Sequence, residues 1–309
     1  MEAVKHTLIT FRGRLSGWPV GRVLAGVTAA GFTTFIITRN FQTSSRMSQP
    51  ATKAAFWKAG PSFLRLRLHS SEQVSPTSKR LRFELPTPDT ISGLGLCSAV
   101  LSVAWPKGSF FPVLRPYTPV SRLDEPGFLD LTVKHYSGGK MSTHLHSLSP
   151  GDTLLIAAVI PSYSWTPNKH EDITLIAGGG GITPLYQLAQ GILNNPDDTR
   201  TKINLIYGVN KESEILFQDQ FDQWRHQFPD RFKATFVVGS PEPGSPHEKG
   251  RINADLLSKH MVLPKTGEKS VATKVFVCGP PAMEAALVGK RHDGILKQIG
   301  FTKDQVFQF

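Results

Sequence analysis

The sequence predicts two folded domains, an antiparallel β-barrel followed by an α/β domain on a parallel sheet. Three observations carry this expectation. Between residues 56 and 164, apolar and polar residues alternate in short runs broken by Pro, Gly and Asp, as in half-buried antiparallel strands. Beyond residue 170, apolar runs alternate with helical periodicities, as in βα units. Near the start of that part, L-I-A-G-G-G-G-I-T-P-L at residues 175–185 joins an apolar strand through four glycines to a helix.

A chain of 309 residues is long enough for two cores. With 39% hydrophobic and 19% charged residues it is neither disordered nor collagen-like. The net charge of +11 contains no dense Lys/Arg stripe with interleaved aromatics, which argues against nucleic-acid binding. The two cysteines, Cys97 and Cys278, lie far apart and suggest neither a disulfide framework nor a structural zinc site.

Residues 1–52 read as a targeting segment, candidate membrane anchor and linker. Up to Arg46 the only acid is Glu2, set against Lys5, Arg12, Arg14, Arg22 and Arg39, which suits an organelle presequence. Residues 23–38 are uncharged and flanked by arginines. That is short for a bilayer core needing about 20 residues, but the arginines could snorkel. A secretory signal peptide and a disordered tail are the competing readings.

Residues 53–165 form the expected barrel domain. Leu64, Leu66 and Leu68 alternate with polar residues, as do Leu81, Phe83 and Leu85, and Leu129, Leu131 and Val133. Some six strands of this kind suit a small barrel or sandwich. Pro150-Gly151-Asp152 makes a turn before a strand at 153–157.

Residues 166–309 form the expected α/β domain, with strands at 173–177, 203–207, 232–238 and 275–278. A helix is expected over 214–228, with Phe217, Phe221, Trp224 and Phe228 on one stripe. After the glycines, Thr183 suits an N-cap and Pro184 a first helical position. Leu185, Leu188, Ala189, Ile192 and Leu193 then mark a buried face. Glycines before a helix N-terminus favour an anionic ligand, through close backbone approach and unpaired N–H groups. A turn with no ligand is the alternative.

Two stretches in the barrel domain have related chemistry. Arg115-Pro116-Tyr117-Thr118-Pro119 sets a guanidinium, a ring and a hydroxyl close together, suited to a flavin dinucleotide. Gly138-Gly139-Lys140-Met141-Ser142 precedes a helix expected at 143–148 and offers a second pyrophosphate site. His144 and His146 lack a recognisable third ligand, so no metal site is assigned.

R-P-Y-T, G-G-K-M-S, G-G-x-G-I-T-P and C-G-P-P, in that order, resemble the ferredoxin–NADP reductase superfamily and, within it, the NADH-cytochrome b5 reductase family. The basic N-terminus and the ending K-D-Q-V-F-Q-F are most similar to the fungal mitochondrial form. The resemblance covers about residues 53–309. It implies a flavin-binding barrel, a Rossmann-like nicotinamide-dinucleotide domain, and the cofactors FAD and NADH.

Residue by residue, it implies that Arg115 neutralises the FAD pyrophosphate. Tyr117, next to Pro116, packs on the isoalloxazine, and Thr118 hydrogen-bonds near its N5. Thr132, Lys134, Gly139, Lys140, Met141 and Ser142 complete the flavin site, with Ser142 on phosphate. Gly178, Gly179, Gly180 and Gly181 admit the nicotinamide cofactor, with Thr183 and Pro184 at the junction of the two cofactors. Cys278, Gly279, Pro280, Pro281 and Met283 border the nicotinamide, and Phe309 lies near the flavin. Thr118 and Cys278 are the candidate catalytic residues. The implied reaction passes a hydride from NADH to FAD and then single electrons to cytochrome b5, an acidic haem protein that a basic rim would steer. The implied location is the mitochondrial outer membrane, or the intermembrane space after cleavage.

The chain departs from the family pattern at three places. Gly180 replaces a customary Thr, Ala158-Val159 follows a strand where Gly-Pro is common, and Gly239-Ser240 stands where relatives place an acid that excludes NADPH, with Glu242 close by as a substitute. NADH is expected as donor, with relaxed discrimination against NADPH. Two other functions stay open here: a flavin reductase serving a quinone, ferric chelate or other redox protein, and a nucleotide-binding scaffold without turnover.

Overall fold

The computed structural model describes residue 57 and residues 63–107, 109–264 and 273–309. The expected presequence, the candidate anchor at 23–38 and the linker lie outside the described residues. Among those described, no helix is long and apolar enough to cross a membrane.

The first half is a six-stranded antiparallel sheet. Its strands are β1 (Leu64–Ser75), β2 (Ser78–Glu84), β3 (Ser98–Ala104), β4 (Val113–Tyr117), β5 (Phe128–Lys134) and, after helix α1 (Lys140–Ser147), β6 (Thr153–Pro161). They lie in the order β4-β3-β6-β1-β2-β5. The alternating apolar residues meet across strands: Leu68 opposes Phe83, Leu81 opposes Leu131, and Leu66 opposes Leu154. With Met141 and Leu145 of α1 they form one core. Pro119, just past β4, bridges Leu131 in β5 and curls the ends of the sheet toward closure.

Two local expectations change. Helix α1 begins at Lys140, three residues earlier than expected, so the G-G-K-M-S stretch is itself the helix start. Ala158-Val159 does not follow a strand but lies within β6, paired with β3.

The second half is a six-stranded parallel sheet in the order β10-β9-β8-β7-β11-β12. Its elements are β7 (Asp172–Gly178), α2 (Ile182–Leu193), β8 (Lys202–Val209), α3 (Gln218–Gln227), β9 (Phe232–Val238), β10 (Glu248–Lys249), α4 (Ala254–His260), β11 (Thr273–Cys278), α5 (Pro281–Leu287), α6 (Ile295–Gln298) and β12 (Val306–Gln308). Leu175, Ala177 and Phe276 face α2 and α3 in one core. Ile176, Val275 and Val277 face α4, α5 and α6 in another. Both faces are covered, as βα alternation requires.

From β7 the chain adds strands outward on one side through β10, then returns to place β11 and β12 on the other. The order therefore reverses between β7 and β11, and ligands of such sheets bind at that crevice, beyond the carboxyl ends of the strands. Both the tetraglycine and Cys278-Gly279 end there.

Two helix starts differ from expectation. Gly179–Gly181 form a 3-10 turn and Gly181 is the N-cap of α2. Thr183 is thus inside the helix, its hydroxyl donating back to the Gly180 carbonyl at 3.3 Å. Pro184 is the third helical residue, where its missing N–H still costs no helical bond. Helix α3 starts at Gln218, because Ile215 and Leu216 first turn into the core. Phe217 adopts a left-handed φ of 60° and stacks on Tyr186, ring centroids 4.1 Å apart.

Candidate functional site

One groove of about 810 Å³ joins the two barrel stretches. Its walls are Arg115, Pro116 and Tyr117 of β4 and the turn and start of α1, including Gly139, Lys140, Met141 and Ser142. Arg115 is exposed, its Nη1 donating to the Leu114 carbonyl at 2.7 Å. Gly138 takes a positive φ of 75°, and a Cβ on Gly139 would sit 2.5 Å from Ser142 Oγ. The Ser142 hydroxyl is occupied inside the turn. It donates to the Gly139 carbonyl at 3.0 Å and accepts from the Tyr136 N–H at 3.2 Å. No side chain caps α1, so its first backbone N–H groups are the donors offered to an anion. An exposed guanidinium, an uncapped helix start and an aromatic wall fit a flavin dinucleotide.

The glycines of the second centre serve contacts within the chain. A Cβ on Gly181 would lie 2.4 Å from the Cys278 carbonyl oxygen. On Gly178 it would lie 2.6 Å from Met283 Sδ, and on Gly279 2.4 Å from Met283 Cε. These three glycines bring the ends of β7 and β11 together around Met283. At Gly180 a Cβ would lie 2.9 Å from the Tyr136 hydroxyl, which occupies the space of the side chain missing there. The buried Tyr207 hydroxyl holds the loop by donating to the Gly179 carbonyl at 3.1 Å.

The remaining sequence-derived residues fall around these centres. Lys134, next to the tetraglycine loop, pairs its amino group with Glu214 at 3.2 Å, both side chains largely buried. Thr132 is buried on the same face of β5, while Thr118 is half-buried just past β4. Pro280 and Pro281 are exposed at the start of α5. Phe309 donates its N–H to the Val277 carbonyl at 3.1 Å, which puts it at the ligand edge of the sheet.

Burial sets the electrostatics. It pushes the Cys278 thiol and the Tyr117 hydroxyl each up to about 12, and raises Tyr136 as well. All three are neutral near pH 7, so Cys278 lines the site and is no thiolate nucleophile.

Three further residues position this machinery. Gln187, buried in α2, accepts from the Ser98 N–H at 3.1 Å and donates to the Pro119 carbonyl at 3.0 Å. It thereby fixes α2 to the barrel beside Thr118; a polar residue on an apolar helical stripe was its signal. Glu284 accepts from the Gly279 N–H at 2.9 Å and from the Gln308 side chain at 2.7 Å, tying the C-G-P-P turn to the C-terminal strand. Near Gly239 stand two acids, Glu242 and Glu212, and the Glu212 carboxylate accepts from the Glu242 N–H at 2.9 Å.

Comparison with known proteins gives consistent matches. Residues 65–164 match the oxidoreductase FAD-binding domain model and residues 175–288 the oxidoreductase NAD-binding domain model. NADH-cytochrome b5 reductase 2 of Phaeosphaeria nodorum is 40% identical over 308 residues, covering 94% of this chain and 90% of that protein. The protein of the same name from Pyricularia oryzae is 44% identical over 255 residues, covering 80% of this chain and 76% of its own. Among solved structures, the cytochrome b5 reductase domain of Ulva prolifera nitrate reductase superposes with a TM-score of 0.71 at 27% identity, covering 81% of this chain and 99% of that one.

Proposed function

The chain belongs to the NADH-cytochrome b5 reductase family, and from that premise we propose that it is the flavoenzyme that carries electrons from NADH to cytochrome b5. The observation that carries the reading is that the turn leading into uncapped α1 reaches the turn leading into uncapped α2, with the Tyr136 hydroxyl set against Gly180. Such a site binds, stacks and orients, and asks little of proton transfer. FAD, when bound, supplies acceptance of a hydride and release of single electrons.

The residues divide that work. Arg115 and the first N–H groups of α1 hold the FAD pyrophosphate, and Tyr117 walls the flavin ring. The Gly179–Gly181 turn and the start of α2 receive the nicotinamide dinucleotide, which Cys278, Gly279 and Met283 border. Gln187 and Glu284 keep these two surfaces in register. Exposed Lys140 contributes positive charge beside the groove, which steers an acidic haem protein in a salt-sensitive way. The basic N-terminal segment with its uncharged stretch at 23–38 supports anchoring at the mitochondrial outer membrane.

An anaerobic titration followed by visible absorbance tests the reading. The protein is expected yellow, bleached by NADH, and recoloured by oxidised cytochrome b5, with a bleaching rate level from about pH 6 to about pH 9. A colourless protein that takes up no FAD refutes the proposal. Bleaching without electron delivery to cytochrome b5 moves the acceptor.

Donor choice turns on the corner at the end of β9. Gly239 offers no carboxylate, but hydrogen bonds from the Ser245 side chain and the Glu242 N–H hold the Glu212 carboxyl below the usual range. A charge there repels the extra phosphate of NADPH. Glu212→Gln is expected to raise NADPH use relative to NADH several-fold in steady-state kinetics. An unchanged ratio removes Glu212 from donor selection.

A further inference from the structure

Large apolar side chains stand in water between β3 and β4. Phe110 is 97% exposed and Phe111 81%, with Trp105 and Leu114 also exposed. Adjacent aromatics left this bare mark a surface that something covers in the working state. A cavity of about 580 Å³ opens beside them, lined by Ser109, Phe110, Phe111, Pro112, Val113 and Lys140. Pro112, Val113 and Lys140 also line the groove of Arg115 and Tyr117. The two spaces adjoin along these three residues.

The adjacency has a direction. Tyr117 stands at one end of β4, Arg115 in its middle and Val113 at the other end. A flavin ring against Tyr117 and a pyrophosphate at Arg115 and α1 leave the rest of the dinucleotide one way to run, toward Val113. At a rise of about 3.3 Å per residue, Val113 lies about 13 Å from Tyr117, beyond the reach of the ring. The space there offers two aromatic faces and the Lys140 cation, with no acid among its lining residues.

We propose that Phe110 and Phe111 clamp the adenine of FAD. The proposal rests on the flavoprotein reading and adds the part of the cofactor that the R-P-Y-T and G-G-K-M-S stretches leave unassigned. Any purine has a face that stacks on an aromatic ring, so no particular hydrogen-bond pattern is needed.

FMN lacks the adenosine half and is the control. Flavin is removed from the full chain, and the apoprotein is titrated with FAD and with FMN by flavin fluorescence. The double variant Phe110→Ala, Phe111→Ala is expected to bind FAD about tenfold more weakly, within the range found for one stacked base, with FMN affinity unchanged. Phe110→Tyr, Phe111→Tyr keeps both ring faces and is expected to keep wild-type FAD affinity. Equal weakening of FAD and FMN overturns the clamp, because the segment then supports the barrel itself. So does unchanged FAD affinity, including the case in which the alanine variant instead loses sedimentation with anionic phospholipid vesicles. A wild-type chain that binds neither flavin fails the flavoprotein reading itself. One that binds FAD and FMN equally fails only the clamp.

Discussion

Gly181→Ala is expected to slow reduction of the bound flavin by NADH about 100-fold, the cost of misplacing a reacting surface by about 1 Å. The added Cβ would lie 2.4 Å from the Cys278 carbonyl oxygen, 2.5 Å from its carbon and 2.7 Å from the Gly279 nitrogen. All three are backbone atoms, so no side chain can swing aside. The turn before α2 and the turn after β11 must separate, and these are the two surfaces assigned to the nicotinamide. FAD content should be retained, since Gly181 does not line the groove of Arg115 and Tyr117. Gly180→Ala is the internal control. Its Cβ meets the hydroxyl of half-exposed Tyr136 at 2.9 Å, and the end of a side chain can yield. Stopped-flow bleaching under anaerobic conditions reads both variants. A Gly181→Ala rate equal to wild type shows that the two turns need not touch during turnover.

The same glycines show what a single sequence reveals and what it hides. Four consecutive glycines between a strand and a helix are conspicuous, and their place at the sheet edge follows from βα alternation. Their use as packing surfaces does not, because Cys278 and Met283 lie about a hundred residues away in the chain. The barrel strands were legible because one face of each is buried, and Leu64 to Leu68, Leu81 to Leu85 and Leu129 to Val133 repeat with period two. That pattern says nothing about what covers the opposite face. Asp130 and Thr132, polar positions of β5, alternate outward and are nevertheless buried.

The start of α3 was hidden for another reason. Aromatic spacing from Phe217 to Phe228 is helical throughout, but Phe217 itself is left-handed, a conformation that a bulky residue does not announce. Thr183 looked like a cap because it precedes Pro184. The glycine turn had already begun the helix. Gln187 acts through partners distant in sequence, and Glu284 ties the nearby Gly279 to the more distant Gln308, so their roles appear only once α2 meets the barrel and α5 meets the C-terminal strand.

Asp130→Ala is expected to lower the melting temperature of the flavin-loaded protein by about 10 °C. The Asp130 side chain is 0% exposed, and two arginines of β2 converge on it. Arg82 donates from Nε at 2.8 Å to one carboxylate oxygen and from Nη2 at 2.8 Å to the other. Arg80 donates from Nε at 3.0 Å and also from Nη2. Removing one partner of a buried ion pair costs about 3–5 kcal/mol, because the remaining charge loses its compensation. Here the arginines are 42% and 30% exposed and can regain some water, which places the loss near the lower end, about 3 kcal/mol. For a folded part of this size each kcal/mol moves the midpoint by about 2–4 °C. Asp130→Asn keeps the shape and part of the hydrogen bonding, so an intermediate fall is expected. The loss should reach the site as well, since Lys134 lies on the same face of β5 and pairs with Glu214 beside the tetraglycine loop. Differential scanning calorimetry with flavin bound reads the stability. An unchanged midpoint for Asp130→Ala would mean that the cluster contributes nothing net, its attraction cancelled by the cost of burying the carboxylate.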